Sequence, residues 1–149
     1  DHLRILSGLY GLLRPLDEIE PYRLEMGSRL ATDRGNNLYD FWGKEFAREL
    51  NKTAIKTDAS FLLNCASKEY FSAIDVKSLK LKVVTPVFLE HAASKPKIVS
   101  FYAKKARGAM ARFVMQNKIT TTTELMEFDA GGYAYEPDLS DEQTLYFTR

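Results

Sequence analysis

Apolar residues recur at helical spacing in two stretches of this chain and cluster at strand spacing in several others. Leu38, Phe41, Trp42, Glu45, Phe46 and Leu50 follow the i, i+3, i+4 rhythm of an amphipathic helix, with Asn36 or Asn37 placed to cap it. The second helical stretch, Ala103–Asn117, gathers Ala106, Ala109, Met110, Phe113 and Val114 on one side at about 100° per residue. Short strands are predicted over residues 2–7 and 22–26, with a helical turn at Leu9–Leu13 that ends before Arg14-Pro15. Ser60–Cys65 reads as a buried strand and Ser67–Ile74 as a short helix. Lys82–Leu89 reads as a strand in which Pro86 marks an edge or a bulge. Lys97–Tyr102 is β-rich, and Thr121 or Thr122 caps a short helix running to Phe128. Gly131-Gly132 turns the chain, and Tyr133–Tyr135 with Thr144–Thr148 make a loose closing hairpin. Strands and helices alternate without a regular βαβ period, which predicts an α+β fold: a mixed sheet with flanking helices.

Composition adds little until it is read locally. The chain has 149 residues, 45% hydrophobic and 28% charged, with a formal net charge of +1. That suits one domain, 1–149. It lacks an initiator Met and enters a strand almost at once, so it reads as the C-terminal part of a longer single domain. One cysteine, Cys65, excludes an internal disulfide and fits a reducing, cytoplasmic setting. No apolar run approaches the ~20 residues a membrane-spanning helix needs. His2, His91 and Cys65 lie far apart, so no metal site and no cofactor are expected.

Charge changes the picture. Residues 95–118 carry seven Lys or Arg and no acid, whereas residues 119–149 carry seven acids and one Arg. A basic segment that is also aromatic and helical is the kind of surface a phosphate backbone selects. On the helix, Lys104, Lys105 and Arg112 fall opposite the apolar side, with Arg107 on the flank and Gly108 and Ala111 as a small-residue floor. Tyr102 and Ser100, or else Phe101, adjoin this surface. The alternative reading is a solvated face of an ordinary amphipathic helix.

Two further motifs stand out. Leu6–Asp17 followed by Pro21–Gly27 sets Gly8, Gly11, Arg14, Tyr22, Arg23 and Glu25 among prolines and aromatics. It is either a phosphate-contacting loop or a tight turn with Arg14 or Arg23 paired to Asp17 or Glu25. Asn64–Phe71 gathers Asn64, Ser67, Glu69 and Tyr70 where a strand ends and a helix begins. It is either a substrate-contacting junction or a helix cap. Cys65, on an apolar strand, reads as an inert thiol. No serine triad, zinc spacing, dinucleotide fingerprint or Walker loop occurs.

Taken together, the stretches LSGLYGLLRPLDEIEPYRLEMG, LYDFWG, NCASKEYF, VVTPVFLE and SFYAKKARGAMARF closely resemble the YaaA family of bacterial peroxide-stress proteins. The resemblance implies a cytosolic DNA-binding protein of α+β fold with a positively charged cleft, linked to oxidative stress, control of free iron and recombinational repair. It also implies a helix-hairpin-helix element, which falls outside the residues present. The expected partner is duplex or structured DNA, read through phosphates without sequence preference. Lys104, Lys105, Arg107 and Arg112 would be the principal contacts, Arg14 and Arg23 would face the same groove, and Tyr22, Asn64 and Ser67 would support them. The rival reading is an enzyme acting on a nucleotide or nucleic acid, with Glu25, Glu69 and Tyr70 as acid/base groups. A third is an iron-handling or protein-interaction role.

Overall fold

The computed structural model describes residues 2–91 and 95–149. They fall into two compact units, one running to Ala59 and resuming at Ala66–Leu81, the other comprising Ser60–Cys65 and Lys82–Arg149. The α+β class holds, with helices and both parallel and antiparallel sheet pairings.

The first unit opens with an antiparallel hairpin, β1 (Ile5–Ser7) and β2 (Gly11–Leu13), registered Ile5 to Leu13 and Ser7 to Gly11. The helical turn expected over Leu9–Leu13 is therefore absent. The Ser7 hydroxyl accepts the Tyr10 N–H at 2.9 Å, which closes the turn locally. Gly11 has φ +80, and a Cβ there would stand 2.8 Å from the Trp42 ring. Both the backbone angle and the indole thus demand glycine. The strand expected over residues 22–26 is also absent, and the Met26 backbone is bonded to Tyr70 instead of to a neighbouring strand. Just beyond this stretch the Gly27 N–H donates to Glu69 Oε1 at 2.9 Å.

The first helical stretch divides into α1 (Leu38–Trp42) and α2 (Glu45–Thr57). Asn37 caps α1, its Oδ1 accepting the Asp40 N–H at 2.9 Å. Gly43, at φ 46, ends it. Restarting at Glu45 lets α2 bury Phe46, Ala47, Leu50 and Ala54, while Trp42 stacks on Phe46 at 5.1 Å. The short helix α3 (Lys68–Phe71) is capped by Ser67, as expected.

The second unit is a four-stranded sheet in the order β3 (Phe61–Leu63), β4 (Lys82–Leu89), β6 (Thr144–Thr148), β5 (Ala134–Tyr135). β3 and β6 both run parallel to β4, and β5 runs antiparallel to β6. The connection between the parallel neighbours β4 and β6 carries the long helix α4 (Ser100–Asn117), as a parallel crossover requires. Burial alternates along β4, turning Val84, Pro86 and Phe88 inward. Val84 and Phe88 meet Ala106 and Met110 of α4 together with Leu125, Phe128, Tyr133, Leu145 and Phe147. Pro86 stands in register with Leu145, and Thr85 donates its N–H toward β6. The missing N–H of Pro86 therefore falls on the β3 side, where pairing has already stopped at the bond from Asn64 to Val84. A proline is tolerated inside the strand for that reason.

The β-rich run Lys97–Tyr102 does not form a strand. Lys97 makes one bridge to Glu90, and α4 begins at Ser100. Beyond that bridge the segment finds no ladder to join, so helix formation overrides the β preference of its side chains.

Candidate functional site

The exposed side of α4 carries the charge pattern read from the sequence. Lys104, Lys105 and Arg112 are exposed, Met110 is fully buried and Phe113 is half-buried against the core. Phe101, Lys105, Gly108 and Arg112 follow one another at i, i+4, i+7 and i+11, forming one exposed stripe with Lys104 beside it. Lys105 and Arg112 are about 10 Å apart along the axis at 1.5 Å per residue. Among the described residues none of Lys104, Lys105 and Arg112 forms an ion pair with an acid. Gly108 leaves open space where a side chain would stand. Arg107 differs: it is half-buried, and its charge reaches Cys65.

The acidic tail does not neutralise this stripe. Glu124 accepts the Thr121 hydroxyl at 2.6 Å and the Thr121 N–H at 2.9 Å, just ahead of a 3-10 turn, Glu124–Glu127, that has no side-chain cap. Those bonds hold its carboxyl below the ordinary range. Asp141 accepts the N–H groups of Gln143 and Thr144, each at 2.7 Å, and Glu142 pairs with Lys82. These acids stabilise their own turns and loops.

One end of the second unit holds a network that the sequence did not disclose. Arg149 Nε donates to both oxygens of Glu90, at 2.9 and 3.1 Å, and Arg149 Nη1 to the Gly131 carbonyl at 2.9 Å. Its guanidinium lies 4.7 Å from the Tyr102 ring centroid and 4.8 Å from that of Tyr133. The Tyr133 hydroxyl donates to Glu90. Burial pushes the Glu90 carboxyl up, but the bonds from Tyr133 and Arg149 outweigh it and leave it below its ordinary value. Burial first, then the bond to Glu90, pushes the Tyr133 phenol from 10.0 to about 12.

The sign follows from that shift. The folded state holds the Tyr133 proton more tightly than the unfolded chain, so this contribution is complete below pH ~10 and is lost as pH rises to about 12. Tyr133→Phe is expected to lose less stability than the parent between those pH values. Urea midpoints measured across that window check it, and identical slopes for the two proteins would refute it.

The other motif residues lie in the first unit, and much of their bonding is local. Arg14 pairs with Asp17 at 2.7 Å, and Arg23 with Glu25 at 3.2 Å, both at exposed positions. These are the neighbour pairings that the tight-turn alternative describes. Tyr22 and Ser7 share a 2.5 Å hydrogen bond, and the Tyr10 ring sits edge-on to Tyr22 at 5.3 Å. Glu69 holds Gly27, and the Tyr39 hydroxyl donates to the Glu69 carbonyl at 3.2 Å. Tyr70 is pushed up by burial and by the nearby Tyr22, Glu69 and Glu25, while a bond from the Met26 backbone opposes this. Glu25, Glu69, Tyr70 and Tyr22 therefore occupy one neighbourhood. Asn64 belongs to the second unit, where it is buried and its Nδ2 donates to Thr85 Oγ1 at 3.3 Å. Ser7, Tyr10 and Tyr39 join this neighbourhood without any advance signal beyond their place in a motif-rich stretch.

Cys65 is packed against the second core, and burial pushes its thiol up to about 12, well above any nucleophilic range. Among the described residues no three or more His, Cys, Asp or Glu gather as metal ligands. No helix among them is long and apolar enough to cross a membrane.

A family model described as peroxide stress protein YaaA matches residues 1–139. A UPF0246 protein of Ruegeria pomeroyi is 60% identical over 148 residues, 99% of this chain and 58% of its own length. Another, from Dinoroseobacter shibae, is 59% identical over 149 residues, 100% of this chain and 56% of its own. A third, from Jannaschia sp., is 61% identical over 140 residues, 94% of this chain and 54% of its own. The chain thus spans a little over half the length of these relatives.

Proposed function

The chain belongs to the peroxide stress protein YaaA family, and from that premise we propose that it binds DNA through the exposed stripe of α4. The observation that carries this reading is the absence, among the described residues, of any acid paired with Lys104, Lys105 or Arg112. Exposed cations on a helix, separated by Gly108 and Ala111, let a phosphodiester approach closely. Arg112 offers a bidentate fork where the lysines offer point charges. Arg107, Arg14 and Arg23 are secondary contacts. Arg14 and Arg23 already have carboxylate partners, so each adds less than an unpaired cation. Such contacts position DNA without reading its sequence. The proposed setting is the cytoplasm under peroxide, in DNA repair and in limiting damage from free iron. Fluorescence anisotropy with a labelled duplex, comparing the parent with a Lys104, Lys105 and Arg112 triple alanine variant, tests the reading.

A second reading, chemistry on a nucleotide or nucleic acid, is favoured by the gathering of Glu25, Glu69 and Tyr70. Glu69→Gln separates the two. The amide oxygen still accepts the Gly27 N–H, so the fold is kept while acid/base capacity is removed. Under binding alone, DNA affinity stays unchanged or improves slightly, because a charge that repels phosphate is gone. Loss of peroxide protection in cells with DNA affinity intact would favour the enzyme.

A further inference from the structure

We propose that the second unit holds a binding site for a small aromatic carboxylate of a single ring, in the cavity between α4 and the turn at Ala130 and Gly131. The inference stands apart from the DNA-binding reading and shares only Lys105 with it.

The cavity measures about 230 Å³. Tyr102, Ala106 and Ala109, spaced i, i+4 and i+7, set one side of α4 along it. Ala130, Gly131 and Tyr133 supply a second wall, and Arg149 and Lys105 complete the lining. Much of that lining is alanine and glycine, so little side-chain volume fills the space. Pockets that enclose drug-sized ligands measure roughly 300–1,000 Å³, so this smaller one suits a single ring. An apolar lining with a few convergent polar groups is also what small-molecule sites share.

The polar groups set the charge of the ligand. Arg149 spends its Nε on Glu90 and one Nη1 proton on the Gly131 carbonyl, while its Nη2 has no protein acceptor among the described residues. Its positive charge is met by Glu90, which does not itself line the cavity. Lys105 is the other charged lining residue, and it pairs with no acid among the described residues. Tyr133 stays a neutral phenol, its proton held by burial and by the bond to Glu90. One positive charge is therefore left uncompensated, which calls for a monoanion, and the free Nη2 donors suit a carboxylate oxygen. The ring follows from the neighbours. The Arg149 guanidinium lies 4.7 Å from the Tyr102 centroid and 4.8 Å from that of Tyr133. An aromatic ligand extends that group of π-faces, and an alicyclic one does not.

The test is an NMR titration of the full-length protein with benzoate as the probe. Benzoate is expected to bind with a Kd on the order of 1 mM, ordinary for so few atoms. Benzamide keeps the ring and loses the charge, and should bind at least about 5-fold more weakly. Cyclohexanecarboxylate keeps the charge and loses the flat ring, and should bind about 2- to 12-fold more weakly. Lys105→Met should weaken benzoate binding by about 1.5- to 5-fold, the range for one exposed charge pair. Ala109→Phe fills the cavity and should abolish binding. Ala109 packs against the core, so a measurement that needs no variant accompanies it. Nuclear Overhauser contacts should run from the benzoate ring to the Ala109 and Ala130 methyls. No saturable binding at about ten times that Kd, or contacts to other methyls alone, would overturn the inference. Inorganic phosphate or cyclohexanecarboxylate binding as tightly as benzoate would also overturn it, since attraction to the basic helix would then suffice. Duplex binding stands or falls separately, by the anisotropy measurement.

Discussion

Replacing Lys104, Lys105 and Arg112 together by alanine is expected to flatten the salt dependence of duplex binding. Each phosphate contact contributes about −0.9 to the slope of log affinity against log salt, because neutralising a phosphate releases its condensed counterion. Three to five contacts give the parent a slope of roughly −3 to −4.5, a loss of about 60- to 500-fold between 50 and 200 mM salt. Removing three contacts leaves none to two and brings the slope to between about 0 and −1.8, a loss of at most about 12-fold over the same interval. The three side chains are exposed, so the substitutions should leave stability within about 0.5 kcal/mol. A change in binding is then attributable to the surface itself. A parent slope near zero would point to a protein or small-molecule partner instead.

The largest effect on stability is expected at Phe88→Ala. This residue is 2% exposed at the middle of the second core, with rings at 5.1 Å (Tyr133), 5.4 Å (Phe147) and 5.6 Å (Phe128). Truncation removes the transfer free energy of the ring and leaves a cavity that the three neighbouring rings would have to move to fill. The cost is about 3–5 kcal/mol, against a total stability on the order of 5–15 kcal/mol. Urea unfolding followed by circular dichroism should show a lowered midpoint with an unchanged slope. Ile55→Ala, at a position 81% exposed, is the control and should shift stability by less than about 0.5 kcal/mol. If the two variants lose equal stability, the core does not centre on Phe88.

What could be read in advance follows from how local each cause is. β4 was legible because its β-branched and aromatic run also finds a neighbouring strand on each side. α4 was legible from Ala103 onward because its apolar side keeps helical period through Val114. Its first turn was not, since Ser100, Phe101 and Tyr102 favour strands and only the lack of a ladder beyond Glu90 makes them helical. Residues 22–26 failed as a strand because Gly27 and the chain before it are held by α3, about forty positions away. The break at Gly43 was visible as a glycine, but not as the positive-φ residue that ends α1. The site divides the same way. Exposure of Lys104, Lys105 and Arg112 follows from spacing on one helix. The cluster of Glu90, Tyr133 and Arg149 joins positions separated by 43 and 59 residues, and no short-range pattern carries that distance.

The burial of Cys65 bears on what such a protein endures. With its thiol at about 12, the thiolate fraction at neutral pH is on the order of 10⁻⁵, and the thiolate is the form that hydrogen peroxide attacks. The methionines tell the same story at a slower chemistry, since Met26 and Met110 are fully enclosed and only Met115 is well exposed. Most of the soft sulfur in this chain is thus shielded from its oxidant. Oxidation by peroxide is therefore expected to fall on Met115 well before Cys65.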